Sequence, residues 1–337
     1  MAKILLILTG GTICCQKKDG ILSSNTQTAQ LALVDNFRAG GGPWQDTEFT
    51  SRFPIDTLSE NMTLDYWQQI LEELKHTDFS AWDGVIMLHG TDSLGFTAAM
   101  LDAALTGLST PLVLISSNYP LADPRANGND NFAAAVDLLN RKVLPGGVWS
   151  VYRNADGRTW LHRGRELRQC PVGSDDFSSM GAVDIAGLEQ PLPQEEISAA
   201  MPLYRLDKLD NCVLSVAPYV GLDYSRYYLK GIRAVVHGVY HCGTACTGRR
   251  TPDQPYDSSS LLYLLDRCKE WGIPFFIGPV DYGPRHDSYS TMADYLNNGA
   301  IPVIGVSPET VYARAVLGCA LFEDNARLID FVQGKQS

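Results

Sequence analysis

Two short segments of the sequence, about eighty residues apart, follow the same plan: residues 7–13 (ILTGGTI) and residues 85–93 (VIMLHGTDS). In each segment, a run of apolar residues that favour β-structure predicts a buried parallel strand, and this strand ends in glycine followed by a hydroxyl residue. A chain with this pattern is expected to form an open α/β sheet that binds its ligand at the carboxyl ends of the strands.

The hydroxyl groups of Thr12 and Thr91 and the carboxylate of Asp92 are therefore predicted to converge on one site. Glycine lets the backbone come close to a ligand, and free N–H groups beside a hydroxyl stabilise the oxyanion that forms when the hydroxyl attacks a carbonyl. The pattern thus indicates acyl transfer. The alternative is that both segments are only tight strand-to-helix turns whose threonines cap backbone groups.

Two other kinds of site are disfavoured. Neither of the glycine patterns that bind nucleotide phosphates follows the first strand. Potential metal ligands gather at His237, His241, Cys242 and Cys246, but their spacing fits no zinc finger. The preceding segment, residues 234–236, reads as a strand, which would point neighbouring ligands to opposite faces. We therefore predict no metal ion and no cofactor.

Composition narrows the class of protein. A chain of 337 residues with 45% hydrophobic residues is large enough for two domains, each with its own core. The net charge is −11, and the lysines and arginines do not cluster, so we expect a small-molecule substrate and no nucleic-acid partner. No apolar run reaches the length of about 18 residues that a membrane span requires. The first residues read as a strand without a cleavage site, and the eight dispersed cysteines favour reduced thiols in the cytoplasm.

Helices and strands are predicted to alternate along the chain. Apolar residues recur at helical spacing from Met62 to Leu74, with Asn61 or Thr63 as the N-cap, and again from Leu94 to Leu108. A strand is predicted at residues 111–115. This alternation is typical of a doubly wound sheet.

The proline-containing stretch that begins at Leu188 has the composition of a linker. We therefore predict an N-terminal domain at residues 1–187, a linker at 188–211 and a C-terminal α/β domain at 212–337. The strands predicted for the second domain are residues 212–216, 234–236, 275–277 and 303–306. The helices predicted for it are residues 259–268 and 308–321.

With TGGTI at residues 9–13 and HGTDS at residues 89–93, the chain resembles the bacterial-type L-asparaginases, which hydrolyse asparagine, and often glutamine, to the acid and ammonia. Residues 59–62 (SENM) and 113–132 resemble further family segments, and residues 306–312 (VSPETVY) resemble the intracellular type I enzymes. The resemblance implies a two-domain asparaginase-like fold, with a larger N-terminal doubly wound sheet domain and a smaller C-terminal α/β domain. It also implies a homodimer or homotetramer.

The resemblance assigns roles position by position. Thr12 would be the nucleophile, Thr91 would be a second nucleophilic threonine across the scissile amide, and Asp92 would receive the α-ammonium group of the substrate. Ser59 and Glu60 would hold its α-carboxylate and α-ammonium groups. These residue types suit an amino-acid zwitterion, which needs an anion for its ammonium group and donors for its carboxylate.

Three further positions complete the site that the resemblance implies. Gly11 and Gly90 would help to form its floor. The backbone carbonyl of Ser117 would hold the nitrogen of the substrate amide.

Three departures from the family pattern lie near this chemistry. The catalytic lysine falls at Arg168 when the segment is aligned through Phe177, and an arginine stays protonated at any working pH. It can still orient Asp92 or stabilise charge. The loop tyrosine of the family is missing, because the first tyrosine of the chain is Tyr66. Finally, His241 ends a GVYH sequence where the family has GVGN. This histidine is expected to act as an acid or base, or to be a structural histidine.

Two functions are compatible with these departures. The protein is an amidohydrolase, retuned to a different amide, or it is an asparaginase-like protein with little activity that binds an amino-acid ligand. Loss of general acid–base help typically costs ~10²–10⁴-fold in rate. Because Thr12, Thr91 and Asp92 are all present, and a pure binding protein needs no hydroxyl at both strand ends, we favour the amidohydrolase.

Overall fold

The chain forms two compact units, Met1–Arg205 and Leu206–Ser337. The structure is a computed structural model, and it describes residues 2–18, 21–194, 201–248, 257–280 and 289–335. Each unit is built around its own sheet, as predicted from the alternating pattern.

The first unit contains a seven-stranded sheet in the order β4-β1-β5-β6-β7-β8-β9. Its first five strands in this order are parallel, while β8 and β9 are antiparallel additions at one edge. A separate antiparallel hairpin, β2-β3, follows the first strand. The strands are β1 (Lys3–Leu8), β2 (Cys15–Lys18), β3 (Ile21–Ser24), β4 (Glu48–Arg52), β5 (Gly84–Leu88), β6 (Pro111–Ile115), β7 (Gly147–Arg153), β8 (Thr159–Arg163) and β9 (Val183–Asp184). The helices are α1 (Thr26–Ala39), α2 (Leu64–Lys75), α3 (Leu94–Ala104) and α4 (Gly128–Asn140).

The two faces of this sheet are covered by different helices. On β1, Ile4, Leu6 and Leu8 form one core cluster with the apolar faces of α1 and α4. Because strand side chains alternate, the intervening Leu5 and Ile7, which are also fully buried, point to the other face. This other face is covered by α2 and α3, which contact each other.

The connection through α4 has the opposite hand to the other three. Helices α2, α3 and α4 all connect strands in the same direction across the sheet, whereas α1 runs from β1 back to β4. Because α4 shares its face with α1 and not with α2 and α3, its hand is reversed. Strand–helix–strand connections are right-handed in about 98% of cases, so the α4 crossover is the exception. The loop before α4 therefore lies on the face of α1.

The second unit contains a parallel four-stranded sheet whose strands follow in chain order. Helix α5 packs its apolar side onto this sheet, in a core that includes Leu261, Phe275 and Tyr295. The strands are β10 (Val213–Val216), β11 (Ala234–His237), β12 (Phe275–Ile277) and β13 (Ile301–Pro302). The helices are α5 (Leu261–Glu270), α6 (Ser290–Asn297), α7 (Pro308–Leu321) and α8 (Asn325–Val332).

The elements differ from the prediction in three places. Strand β13 ends at Pro302, so the strand predicted at residues 303–306 is wrong; Gly305 turns the chain at φ 70°, and Ile304 is 55% exposed. Helix α3 ends at Ala104, before Leu108. Thr63, and not Asn61, is the N-cap of α2, because its side chain accepts a hydrogen bond from the Tyr66 N–H.

The start of the predicted linker is a folded part of the first unit. Leu188 is buried in the cluster beneath α4, and the Leu192 N–H donates to the Val143 carbonyl (2.9 Å). The division between the two units falls after Arg205. The longest helices within the described ranges, α1 and α7, have 14 residues each, and none of the helices there has the length and apolar character of a membrane span.

Three buried histidines make stability depend on pH. Burial lowers the pKa of His89, His162 and His237 to about 4, from an ordinary value of 6.5. The unfolded chain therefore binds protons between about pH 6.5 and pH 4 that the folded chain does not, and the free energy of unfolding falls as the pH falls through this window.

We expect His162→Gln to flatten this dependence by up to about 1.4 kcal/mol per pH unit, the value for one proton. The exposed His76, which pairs with Glu72 (2.8 Å), provides the control variant His76→Gln. Urea unfolding at a series of pH values measures the effect. Coinciding pH profiles for the two variants would show that His162 does not titrate as its burial requires.

Candidate active site

The chain leaves β1 through a turn that only glycine can form. Gly10 and Gly11 have φ values of 104° and 79°, a region that residues with side chains rarely adopt. A Cβ atom on Gly10 would also lie 2.6 Å from the Thr57 nitrogen, because the segment after β4 passes directly beside the turn. The Gly11 N–H donates to the Thr57 carbonyl (2.8 Å), which fixes the position of the turn.

The turns after β1 and β5 are in backbone contact. A Cβ atom on Gly11 would overlap the backbone of Gly90, and one on Gly90 would lie 3.0 Å from the Gly11 Cα atom and 2.6 Å from the Ser59 Cβ atom. Thr12 and Thr91 are the next residues in the two turns, and both are half-buried. The structure thus brings the two predicted threonine turns together at the carboxyl edge of the sheet.

Ser59 links the segment after β4 to the second turn. It is 4% exposed, and its Oγ accepts a hydrogen bond from the Asp92 N–H (3.1 Å). The Ser93 hydroxyl donates to the Ser59 carbonyl (2.7 Å). The carboxylates of Asp92 and Glu60, by contrast, lie on exposed residues, where they are open to a charged ligand.

A buried network beneath the second turn holds its backbone. The His89 Nδ1–H donates to the Gly90 carbonyl (2.8 Å), and Nε2 accepts from the Thr97 hydroxyl (2.9 Å). The Trp67 indole N–H donates to the same Thr97 oxygen (3.0 Å). Because burial lowers the pKa of His89 to about 4, the ring is neutral at pH 7 and retains this tautomer.

The thiols next to Thr12 are unsuited to be nucleophiles. Burial raises the pKa of Cys14 far above its ordinary value, and the nearby charge of Asp56 raises it further. Burial, followed by the charges of Glu60 and Asp56, also raises the pKa of Cys15. Since the thiolate is the reactive form of cysteine, the hydroxyl of Thr12 is the better candidate in this turn.

Asp56 also ties down the junction between the β2-β3 hairpin and α1. Its carboxylate accepts hydrogen bonds from the hydroxyls of Ser24, which ends β3, and Thr26, which begins α1 (3.5 Å).

The third predicted strand end, after β6, has its hydroxyl group occupied. The Ser117 Oγ donates to the Tyr119 carbonyl (2.6 Å) and accepts from the Gly128 N–H (3.1 Å). The Ser117 carbonyl has no hydrogen-bond donor among the described residues. The backbone carbonyl, which is the group assigned by the resemblance, is therefore the group without a hydrogen-bond partner among the described residues, and Ser117 itself is fully buried.

The segment after β8 contributes Gln169 to the site. Its side-chain amide donates to the Thr91 carbonyl (2.7 Å) and accepts from the Gly95 N–H in the first turn of α3 (3.1 Å). The side chain of Arg168, the neighbouring residue, is exposed and forms no hydrogen bond or ion pair with any other described residue. The structure therefore does not support the expectation that Arg168 holds Asp92 or Thr91, because consecutive side chains on an extended segment point in opposite directions.

The remaining predicted site residue, His241, lies in the second unit and is exposed. His237, four residues earlier, is buried, and its Nε2 accepts a hydrogen bond from the Tyr224 hydroxyl (2.7 Å). Within the ranges that the structure describes, no three histidine, cysteine or acidic side chains are grouped so as to hold a metal ion.

Comparison with known proteins identifies the family. The model of the asparaginase N-terminal domain matches residues 3–190, and the chain belongs to the asparaginase family. It is 34% identical over 254 residues to L-asparaginase 1 of Escherichia coli K12, which covers 72% of each chain. It is 25% identical to a subunit of the glutamyl-tRNA(Gln) amidotransferase of Thermococcus kodakarensis, over 93% of this chain and 71% of the relative.

The fold agrees with this membership. The thermostable L-asparaginase from Thermococcus kodakarensis superimposes with a TM-score of 0.76 at 19% identity and covers 99% of both chains. The predicted two-domain asparaginase-like fold is confirmed, and the protein is an enzyme of the amidohydrolase class.

Three features of the site could not be found from motifs. Gln169 lies one residue after Arg168, the position that aligns with the family's catalytic lysine. Asp56 lies in an irregular segment without a sequence motif. The fully apolar run before His89 signals only that the strand is buried, not that the ring bonds to the next carbonyl.

We expect Gln169→Leu to lower amide hydrolysis about five- to tenfold, mainly in kcat, because the loss of one hydrogen bond of about 1–1.5 kcal/mol frees the Thr91 backbone. The adjacent Arg168→Met serves as the control and should stay within about twofold of the parent. Steady-state kinetics on asparagine measures both variants. A larger loss in Arg168→Met than in Gln169→Leu would reverse the assignment.

Proposed function

We propose that the protein hydrolyses the side-chain amide of asparagine, or of a related amide, to the carboxylate and ammonia or an amine, with Thr12 as the nucleophile. The observation that carries this proposal is the backbone contact between Gly11 and Gly90, which brings two threonine turns together beside Ser59 and Asp92. The substrate is a small molecule, in keeping with a net charge of −11.

The amino-acid end of the substrate is bound by two carboxylates and one hydroxyl group. The exposed carboxylates of Asp92 and Glu60 meet the α-ammonium group. The Ser59 Oγ accepts the Asp92 N–H and keeps its own proton for donation to the α-carboxylate. The nitrogen of the amide donates to the backbone carbonyl of Ser117, which has no other donor among the described residues.

In the first chemical step, the Thr12 Oγ attacks the amide carbon, a C–O bond forms, and the C–N bond then breaks. The hydroxyl proton of Thr12 passes to the leaving nitrogen, with the Thr91 hydroxyl as the relay. Water then hydrolyses the resulting ester, which releases the acid and restores Thr12.

Backbone N–H groups beside the two threonines stabilise the oxyanion. The Gly11 N–H is already bonded to Thr57, whereas the N–H groups of Thr12 and Thr91 have no acceptor among the described residues. These two groups are therefore the donors that we assign to the oxyanion.

A second candidate function is ligand binding with little turnover. It is favoured by one observation, namely that the exposed Arg168 supplies no base beside Thr91 at the position where the family has a lysine. We further propose that the protein is cytoplasmic and forms a homodimer or homotetramer, as the family resemblance implies.

We expect Thr12→Ala to lower hydrolysis on the order of 10³-fold or more, because it removes the nucleophile, and Thr91→Ala to lower it about 10²-fold or more, because it removes the relay. Asparagine and glutamine are the substrates, glutamine because one relative is named as part of a glutamyl-tRNA(Gln) amidotransferase. Ammonia release and the thermal unfolding midpoint are measured together.

Thr106→Ala, which changes an exposed threonine in the turn just after α3, is the matched control and should retain activity. A ligand-induced rise in the unfolding midpoint without ammonia release would favour the binding protein instead. Unchanged turnover in Thr12→Ala would contradict the nucleophile assignment.

A further inference from the structure

A cavity of about 770 Å³ lies directly beside the nucleophile turn. Its walls are formed by residues 13–15, which follow Thr12, by the side of α1 that carries Thr28 and Ala32, and by the loop of residues 119–125. This loop is fixed to the site, because its Tyr119 carbonyl accepts the hydrogen bond from the Ser117 hydroxyl.

The cavity and the residues that bind the amino-acid end are formed by connections that lead to helices on opposite faces of the sheet. Ser59 and Asp92 precede α2 and α3, which cover one face of the sheet. Residues 119–125 precede α4, which lies with α1 on the other face. A substrate whose amide nitrogen is held at the Ser117 carbonyl has its leaving group beside the start of the loop that lines the cavity, because Ser117 bonds to Tyr119 of this loop.

The cavity is far larger than ammonia requires. A water molecule, which is of similar size, takes up about 30 Å³, whereas pockets for drug-sized ligands have volumes of about 300–1,000 Å³. The side chains around the cavity are mostly apolar, and they include Ile13, Ala29 and Leu121. At its edge, the Arg125 guanidinium pairs with Asp123 (2.7 Å) and lies 4.0 Å from the centre of the Tyr119 ring. An apolar group, and in particular an aromatic one, suits this lining.

We propose that this cavity receives the amine portion of a secondary amide, so that the protein accepts asparagine carrying an apolar aryl or alkyl group on its side-chain nitrogen. This inference rests on the proposed function. The same C–N bond breaks, the Thr12 proton passes to the leaving nitrogen, and a substituted amine departs in place of ammonia. Water then hydrolyses the ester at Thr12.

The test compares asparagine with β-L-aspartyl anilide, in which a phenyl group is attached to the side-chain nitrogen. The parent protein should release aniline as well as ammonia. Ala32→Phe fills the cavity from the half-buried side of α1, and we expect it to lower kcat/KM for the anilide at least tenfold while the value for asparagine stays within about twofold. Ala39→Phe makes the same change at an exposed position of the same helix, outside the cavity, and should alter neither value.

Thr28→Phe, at an exposed position of the cavity wall, repeats the test if Ala32→Phe unfolds. Release of ammonia from asparagine without aniline from the anilide would overturn the cavity assignment and leave the proposed function intact. Equal anilide kinetics in the cavity-filling and control variants would overturn it as well. Release from neither compound would overturn the proposed function, and this inference with it.

Discussion

The site depends on one close approach, that of the Gly11 and Gly90 backbones at the ends of two neighbouring parallel strands. A side chain on either residue would push the turns apart, and at Gly11 it would also be strained at a φ of 79°. The approach brings the following residue of each turn, a threonine, to the same edge of the sheet. Hydroxyl groups that are carried by rigid strand ends in this way need little reorganisation when a substrate binds.

Beyond the end of β5, side chains hold the backbone of the turn. His89 bonds to the Gly90 carbonyl, Gln169 to the Thr91 carbonyl, and Ser59 to the Asp92 N–H. Each of these three comes from a different segment of the chain, so the turn after β5 is fixed from several sides. Polar side chains that bond to the backbone in this way favour one geometry of the turn.

Patterns in the sequence predicted the elements that depend on local spacing. Strands β1, β5 and β6 and the glycine turns after β1 and β5 follow from the positions of apolar residues and glycines, and the start of α2 follows from two capping candidates, of which Thr63 is the N-cap. The role of Gln169 could not be predicted, because alignment by counting does not tell which of two adjacent residues faces inward. The strand predicted at residues 303–306 failed for a similar reason, since pairing with β12, and not apolar content, decides where β13 ends.

The reversed α4 crossover assigns the two halves of a substrate to separate connections of the chain. In the binding mode that we propose, the connections that lead into α2 and α3 hold the acyl half of the substrate, and the loop before α4, a helix on the other face of the sheet, lines the cavity for the leaving half. These connections share no residue. Selection can therefore alter the preference for one half by changing one loop, while the recognition of the other half is inherited unchanged.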